Sequence, residues 1–148
     1  MTSHRVLERV RWILTGLAGL LFLGTIGELI ALKHYDELTQ KLPFLLCLLG
    51  LGALALSWRP DSRRRVLGIW ITMGLTIVGS LFGLWEHLEG NAEFYKEIHP
   101  HATMRELLNQ AVTGRNPMMA PGILAVAAAL TLVVLYVSRA ISITEPTI

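Results

Sequence analysis

Four long apolar segments constrain this chain more than any other feature of its sequence. They cover residues 12–32, 42–58, 66–85 and 118–138. Each has about the 17–25 residues that a helix needs to cross the hydrocarbon core of a bilayer. Together they occupy more than half of the 148 residues and leave no room for a separate soluble domain. We therefore expect one all-α domain over residues 1–148, an integral membrane four-helix bundle.

The composition points to the same class of protein. Hydrophobic residues make up 53% of the chain and charged residues 16%, whereas soluble domains carry about 25% charged residues. This balance excludes a disordered chain and a disulfide scaffold. The single cysteine, Cys47, lies in an apolar segment and is expected to be a packing residue. The net charge of +2 does not indicate nucleic-acid binding, because the positive residues lie at the ends of the apolar segments.

The arginines and lysines predict the orientation of the chain in the membrane. Eight lie on one side of the predicted topology, namely Arg5, Arg9, Arg11, Arg59, Arg63, Arg64, Arg65 and Arg139. Five lie on the other side, namely Lys33, Lys41, Lys96, Arg105 and Arg115. Because positive residues favour the cytoplasmic side, both termini are expected to be cytoplasmic. Residues 86–117 would then form a long outer segment.

Acidic residues and histidines are concentrated on the predicted outer side. The acids there are Glu28, Asp36, Glu37, Glu86, Glu89, Glu93, Glu97 and Glu106, and the histidines are His34, His87, His99 and His101. Acidic residues contribute little to topology. Their concentration therefore calls for an explanation other than membrane insertion.

The long outer segment is predicted to be helical in two parts. The third helix is expected to continue past Trp85 and to stop before Pro100. Thr103 and Glu106 have the spacing of a capping box. The apolar residues at 104, 107, 108, 111 and 112 then share one stripe. We expect an amphipathic helix over residues 104–113, at the outer interface or on the bundle, with its apolar stripe facing lipid or the bundle and Gly114 as its stop.

Small residues recur at helical spacing in the apolar segments. Gly79 and Gly83 are four residues apart in the third segment, as are Ala125 and Ala129 in the fourth, and four glycines lie in the first. Small residues let helix backbones approach closely in lipid. The pattern favours a compact four-helix bundle. The alternative is a surface that binds the membrane span of another protein.

Glu28 is the one acid well inside an apolar segment, about one turn from its end. Acids within a membrane are costly and indicate function by default. The alternatives for Glu28 are a hydrogen bond to Thr25 or to another helix, and contact with headgroup water. We expect its cost to be offset by a histidine, a hydrogen-bond donor or a bound cation.

The densest group of polar residues surrounds His87. His87 and Glu93, with Glu28 or His34, are expected to converge near the outer membrane boundary if the first and third helices are neighbours. Imidazole and carboxylate groups are ligands for divalent metals, so these four residues form the candidate metal site. The alternative is a solvated acidic face with structural histidines. The same outer cluster includes Glu86, Glu89 and Asn91.

Three short patterns carry a resemblance to a known group of proteins. They are His87-x-x-Gly90-Asn91-x-Glu93-Phe94-x-x-Glu97 followed by Pro100, Ala120-Pro121-Gly122, and Leu42-Pro43-Phe44. On these patterns the chain resembles small four-span proteins of bacterial inner membranes. The resemblance implies the same four-span topology in a bacterial inner membrane. It implies no activity, cofactor or catalytic residue.

Three functions are compatible with these observations. The first is association with another membrane protein or with a second copy, as an accessory subunit or scaffold of a membrane complex. The second is divalent-metal binding or handling by the outer Glu/His cluster. The third, an enzyme with a Glu/His pair, has the least support, because no phosphate loop, Gly-x-Ser-x-Gly motif or paired cysteine is present. No residue is assigned a catalytic role.

Overall fold

The computed structural model describes residues 3–36, 38–116 and 119–144. Glu37 and Met118, the predicted start of the fourth segment, lie outside these residues. Five helices are present in the described part of the chain: α1 Ser3–Ala31, α2 Leu38–Leu56, α3 Arg63–Ile98, α4 Met104–Thr113 and α5 Met119–Thr144. The predicted all-α bundle, with a short helix between the third and fourth long helices, is confirmed.

Four of the helices, α1, α2, α3 and α5, are long and apolar enough to cross a membrane. Along α3, the distance from Arg65 to Glu86 is about 31 Å at about 1.5 Å per residue, which matches a hydrocarbon core of about 30 Å. These four helices carry many large apolar side chains that the rest of the protein leaves exposed, as is expected of residues that face lipid. The chain is therefore a multi-pass membrane protein in contact with lipid.

The four long helices form a ring in the order α1, α2, α3, α5, in which each helix is antiparallel to its neighbours. Across the ring, α2 and α5 approach closely, whereas no Cα atom of α1 lies within 8 Å of one of α3 in the described residues. The buried alanines 127 and 128 of α5 share the core with Leu46 and Cys47 of α2. Small side chains allow this close approach across the ring. The bundle is consequently shorter along the α2–α5 diagonal and longer along the α1–α3 diagonal.

Glycines on the inside of the bundle permit close contacts between helices. A Cβ atom on Gly79 would lie 2.7 Å from Leu46 Cδ1, and one on Gly50 would lie 2.4 Å from the Phe22 ring. A Cβ atom on Gly83 would lie 3.4 Å from Pro121 Cβ. Gly79 and Gly83 thus pack α3 against α2 and α5 within one chain, as a compact bundle requires. Cys47 is fully buried in the same core, so its predicted packing role is confirmed.

The two ends of the bundle differ, and we name them by their residues. At the arginine end, α1 and α3 begin and α2 and α5 end; the opposite end is the α4 end. Aromatic residues mark the arginine end: Trp58 Nε1 donates to Thr15 Oγ1 at 3.0 Å, and Trp12 packs edge-on against Trp58 at 4.3 Å. The Arg11 guanidinium lies 4.3 Å from the Trp58 ring centroid. Tryptophan and arginine at this level are typical of a membrane–water interface.

Candidate functional site

The candidate site lies on a helical hairpin at the α4 end. Residues 86–98 of α3 extend about 20 Å past Trp85. The chain turns at residues 99–103 and returns as α4, antiparallel to this extension. We call residues 86–116 the hairpin. As predicted, α3 continues past Trp85 and ends before Pro100, and it passes through Gly90 without a break.

A capping box starts α4, as the sequence predicts. Thr103 Oγ1 accepts a hydrogen bond from the Glu106 amide, and the Glu106 carboxylate accepts from the Thr103 amide at 2.7 Å and from its hydroxyl at 2.8 Å. The hydrogen bond from the Thr103 amide, and after it the one from the Thr103 hydroxyl, lower the pKa of Glu106 below its ordinary value. The box satisfies amides that a free helix start would leave unpaired.

Asn91 joins α3 to the end of α4 and to the segment after it. Its side chain is almost fully buried. Its Nδ2 donates to the carbonyls of Ala111 and Asn116, both at 3.1 Å, and its Oδ1 accepts from the Asn116 amide at 2.8 Å. One amide side chain thus satisfies three backbone groups, and this stabilises the hairpin in its closed form.

Gly114 ends α4 where the sequence predicts, but for a different reason. Its φ of −70° is open to any residue. A Cβ atom at this position would lie 2.5 Å from Asn91 Cγ and 2.6 Å from the Gln110 carbonyl oxygen. The glycine is therefore required by the close approach of Asn91 rather than by a left-handed backbone.

The apolar stripe of α4 is only partly covered. Ala111 is buried against α3 and Leu107 is half-buried. Met104, Leu108 and Val112 are 71%, 63% and 60% exposed. The bundle therefore does not cover Leu108, and the alternative that the stripe faces lipid stays a prediction. The helix docks through one edge of its stripe, and these three residues, which we call the apolar row, remain on its surface.

The acidic residues of the extension occupy the side of α3 that faces away from α4. Glu86, Glu89, Glu93 and Glu97 are all exposed, as an acidic helical face predicts. Glu89 accepts a hydrogen bond from Trp85 Nε1 at 3.0 Å. Asn91, on the opposite side, is covered by α4. The acidic face and the docked face of the extension are thus separate surfaces.

The predicted metal ligands of α3 point in different directions. His87 is half-buried, whereas Glu93 is exposed. They are six positions apart along the chain, which places their side chains about 120° apart around the helix at about 100° per residue. Among the described residues, no three His, Cys, Asp or Glu side chains form a group that could hold a metal ion.

Glu28 and His34 lie on the far diagonal of the bundle from the other candidates. Glu28 is exposed on the last turns of α1, and His34 is half-buried in the turn that follows. Thr25 bonds the Leu21 carbonyl at 2.9 Å rather than Glu28. Over the described residues α1 and α3 are diagonal rather than adjacent helices, so the neighbouring arrangement that the convergence assumed is not formed, and the four residues as metal ligands stay a prediction.

The sequence patterns missed the role of Asn91 and the exposed position of the apolar row. The sequence predicts Asn91 as part of the outer cluster around His87, but its partners are backbone groups 20–25 residues later in the chain. The signal available in the sequence was an asparagine next to Gly90 together with a later glycine, Gly114. A glycine inside a helical pattern can mark close packing, although it does not say which segment approaches.

No protein-family model, no curated protein and no solved structure matches this chain. The comparisons therefore identify no family. The resemblance to small four-span membrane proteins is supported by the four membrane-spanning helices alone.

Proposed function

We propose that this protein acts by association, as an accessory subunit or scaffold of a membrane complex, and that the apolar row of the hairpin is its contact surface. The observation that carries the proposal is the exposure of Met104, Leu108 and Val112. These residues lie on a helix whose start is fixed by a capping box and whose end is held by the hydrogen bonds of Asn91. Three apolar side chains at successive i, i+4 positions form the kind of row through which helices bind partners.

The height of the row above the membrane favours a protein over lipid as its partner. Asn91 lies beside the end of α4 and is about 9 Å beyond Trp85 along α3. The start of α4 lies about 20 Å beyond Trp85. The headgroup region adds only about 5–8 Å to each side of the hydrocarbon core. Most of the row is therefore beyond the reach of acyl chains, so a second protein or a second copy of this chain is the partner that covers it.

A matched pair of substitutions on α4 tests the proposal. Leu108→Asp places a charge in the row, whereas Asn109→Asp places the same charge on the next residue, which is exposed outside the row. Native mass spectrometry of the detergent-purified protein should show an assembly larger than the 16.4 kDa chain for wild type and Asn109→Asp. Leu108→Asp should dissociate it without unfolding, because a solvent-exposed charge costs the monomer little. A monomeric wild type, or an assembly that survives Leu108→Asp, would contradict the proposal.

The location of the hairpin is part of the proposal. We infer from the arginine distribution that both termini face the cytoplasm of a bacterial inner membrane, with the hairpin outside. Ser62 and Thr103 cap helices, so labels are better placed at Arg64→Cys and Asn109→Cys, which are exposed. An impermeant thiol reagent should label only Asn109→Cys in intact cells. Labelling of Arg64→Cys alone would contradict this orientation and indicate the opposite one.

The divalent-metal function stays a prediction. Its candidate ligands remain His87 and Glu93, with Glu28 or His34. Titration of Zn²⁺ into wild type and His87→Ala in detergent tests it, since metal binding that depends on His87 should weaken in the variant. Equal, weak binding by the two proteins would remove this function.

A further inference from the structure

A cavity of about 470 Å³ opens at the arginine end, between the start of α3 and the end of α5. Its lining combines two kinds of side chain. Polar and charged residues form one part, and apolar residues of the first turns of α3 form the other. The lining includes Arg63, Arg139, Asp61, Val66, Leu67 and Trp70. Neither the hairpin nor its apolar row takes part in this cavity, so its function is a separate question.

Two arginines from different helices supply the positive charge of the cavity. Arg63 begins α3, and Arg139 lies near the end of α5. Neither guanidinium has an ion-pair or hydrogen-bond partner among the described residues. The acid in the lining, Asp61, is already paired with Arg65 at 2.5 Å, and Arg65 also donates to the Arg59 carbonyl at 2.6 Å. The Asp61–Arg65 pair is neutral overall, so the cavity keeps the charge of the two arginines.

The apolar side of the cavity continues into the lipid-facing surface of the bundle. Leu67 and Trp70 are 58% and 53% exposed, and both belong to the membrane-spanning part of α3. Trp70 lies about 10 Å along the helix from Arg63. This separation matches the distance from a lipid phosphate to the first part of its acyl chains. Tryptophan is also enriched at that depth in membranes.

We propose that this cavity is a binding site for the headgroup of an anionic phospholipid. Arg63 and Arg139 would bind the phosphate, which a planar guanidinium holds through paired hydrogen bonds. Leu67 and Trp70 would contact the glycerol backbone and the upper acyl chain. Basic pockets between membrane helices are a known mode of recognition for acidic lipids. A free phosphate compound would bind the two arginines without contacting Leu67 or Trp70. The apolar contacts therefore distinguish a phospholipid from a free phosphate compound as the source of the anionic group.

The experiment measures the affinity of the purified protein in zwitterionic detergent for three probes: phosphatidylglycerol, phosphatidylcholine and free glycerol 3-phosphate. The variants are Arg63→Gln/Arg139→Gln and the control Arg64→Gln, which removes a neighbouring exposed arginine that does not line the cavity. We expect wild type and the control to prefer phosphatidylglycerol over phosphatidylcholine. Each arginine removed from the cavity should weaken phosphatidylglycerol binding about fivefold, because each cation near an anionic lipid contributes about that factor.

Three results would overturn the proposal: equal affinity for the two lipids, equal losses in the control and in the double variant, or binding of glycerol 3-phosphate as tight as that of phosphatidylglycerol. Trp70→Ala keeps the test open if the double variant fails to fold. It should weaken phosphatidylglycerol binding and leave the binding of glycerol 3-phosphate unchanged. Equal affinity of Trp70→Ala and wild type for phosphatidylglycerol would likewise contradict the proposed acyl contact.

Discussion

The two halves of α3 are held in place by different kinds of contact. Up to Trp85, α3 packs through small residues: Gly79 admits Leu46 of α2, and the Ser80 hydroxyl donates to the Pro121 carbonyl of α5. Beyond Trp85, the same helix is held to α4 by the buried amide of Asn91. In lipid, close packing drives association, because burial of apolar surface brings no gain there. Above the lipid, water competes for every polar group, so a buried and fully paired amide can define one arrangement.

The two halves also differ in whether their exposed apolar surface is covered by lipid. In the membrane half, exposed apolar residues meet lipid and need no protein partner. In the extension, the apolar row of α4 has no lipid to meet over most of its length. Exposed Leu81 is therefore explained by contact with lipid, whereas exposed Leu108 is not. This is why the association proposal rests on the hairpin rather than on the lipid-facing sides of the bundle.

The largest effect is expected from Asn91→Leu, which removes the contact that defines the extension. It deletes three hydrogen bonds and leaves the Ala111 carbonyl and the Asn116 groups unpaired, at a cost of about 3 kcal/mol to the hairpin. Hydrogen exchange of the α4 amides should become fast, while the amides of α5 stay protected. Equal loss of protection in α4 and α5 would show that the two halves of α3 are not independent.

A smaller effect is expected from Gly79→Leu in the membrane half. The new side chain would overlap Leu46, and overpacking of this kind costs about 1–3 kcal/mol. Gly74→Leu is the matched control, because the space beside Gly74 is open. Thermal unfolding in detergent should be lowered by the first substitution alone. If both variants melt alike, the small residues of α3 do not define its packing.

The smallest effect concerns pH and the start of α4. Because hydrogen bonds from Thr103 lower the pKa of Glu106 in the folded hairpin, the capping box stabilises α4 fully above the ordinary pKa of a glutamate. This stabilisation should be lost as the pH falls through the lower, folded-state value. Glu106→Gln can still accept the same hydrogen bonds and should remove the dependence. Hydrogen exchange of the first α4 amides, followed against pH in both proteins, measures the difference, and identical profiles would contradict it.

The sequence by itself determined the features that depend on neighbouring residues along the chain. The apolar segments predict four membrane helices, and Thr103 with Glu106 predicts the start of α4, because hydropathy and capping act within a few turns of one helix. The continuation of α3 past Trp85 follows from the same local pattern. These features needed no knowledge of which helix lies beside which.

The tertiary structure alone decided which surfaces meet. Four antiparallel helices can close into a ring with either diagonal short, and the small residues Ala127 and Ala128, which share the core with Leu46 and Cys47, accompany the arrangement in which α2 and α5 are close and α1 and α3 are farther apart over the described residues. That choice separates Glu28 from His87. The docked edge of α4 is likewise set by Asn91, whose partners lie 20 and 25 residues away. Such pairings depend on the fit of side chains from distant segments, and helical periodicity carries no information about that fit.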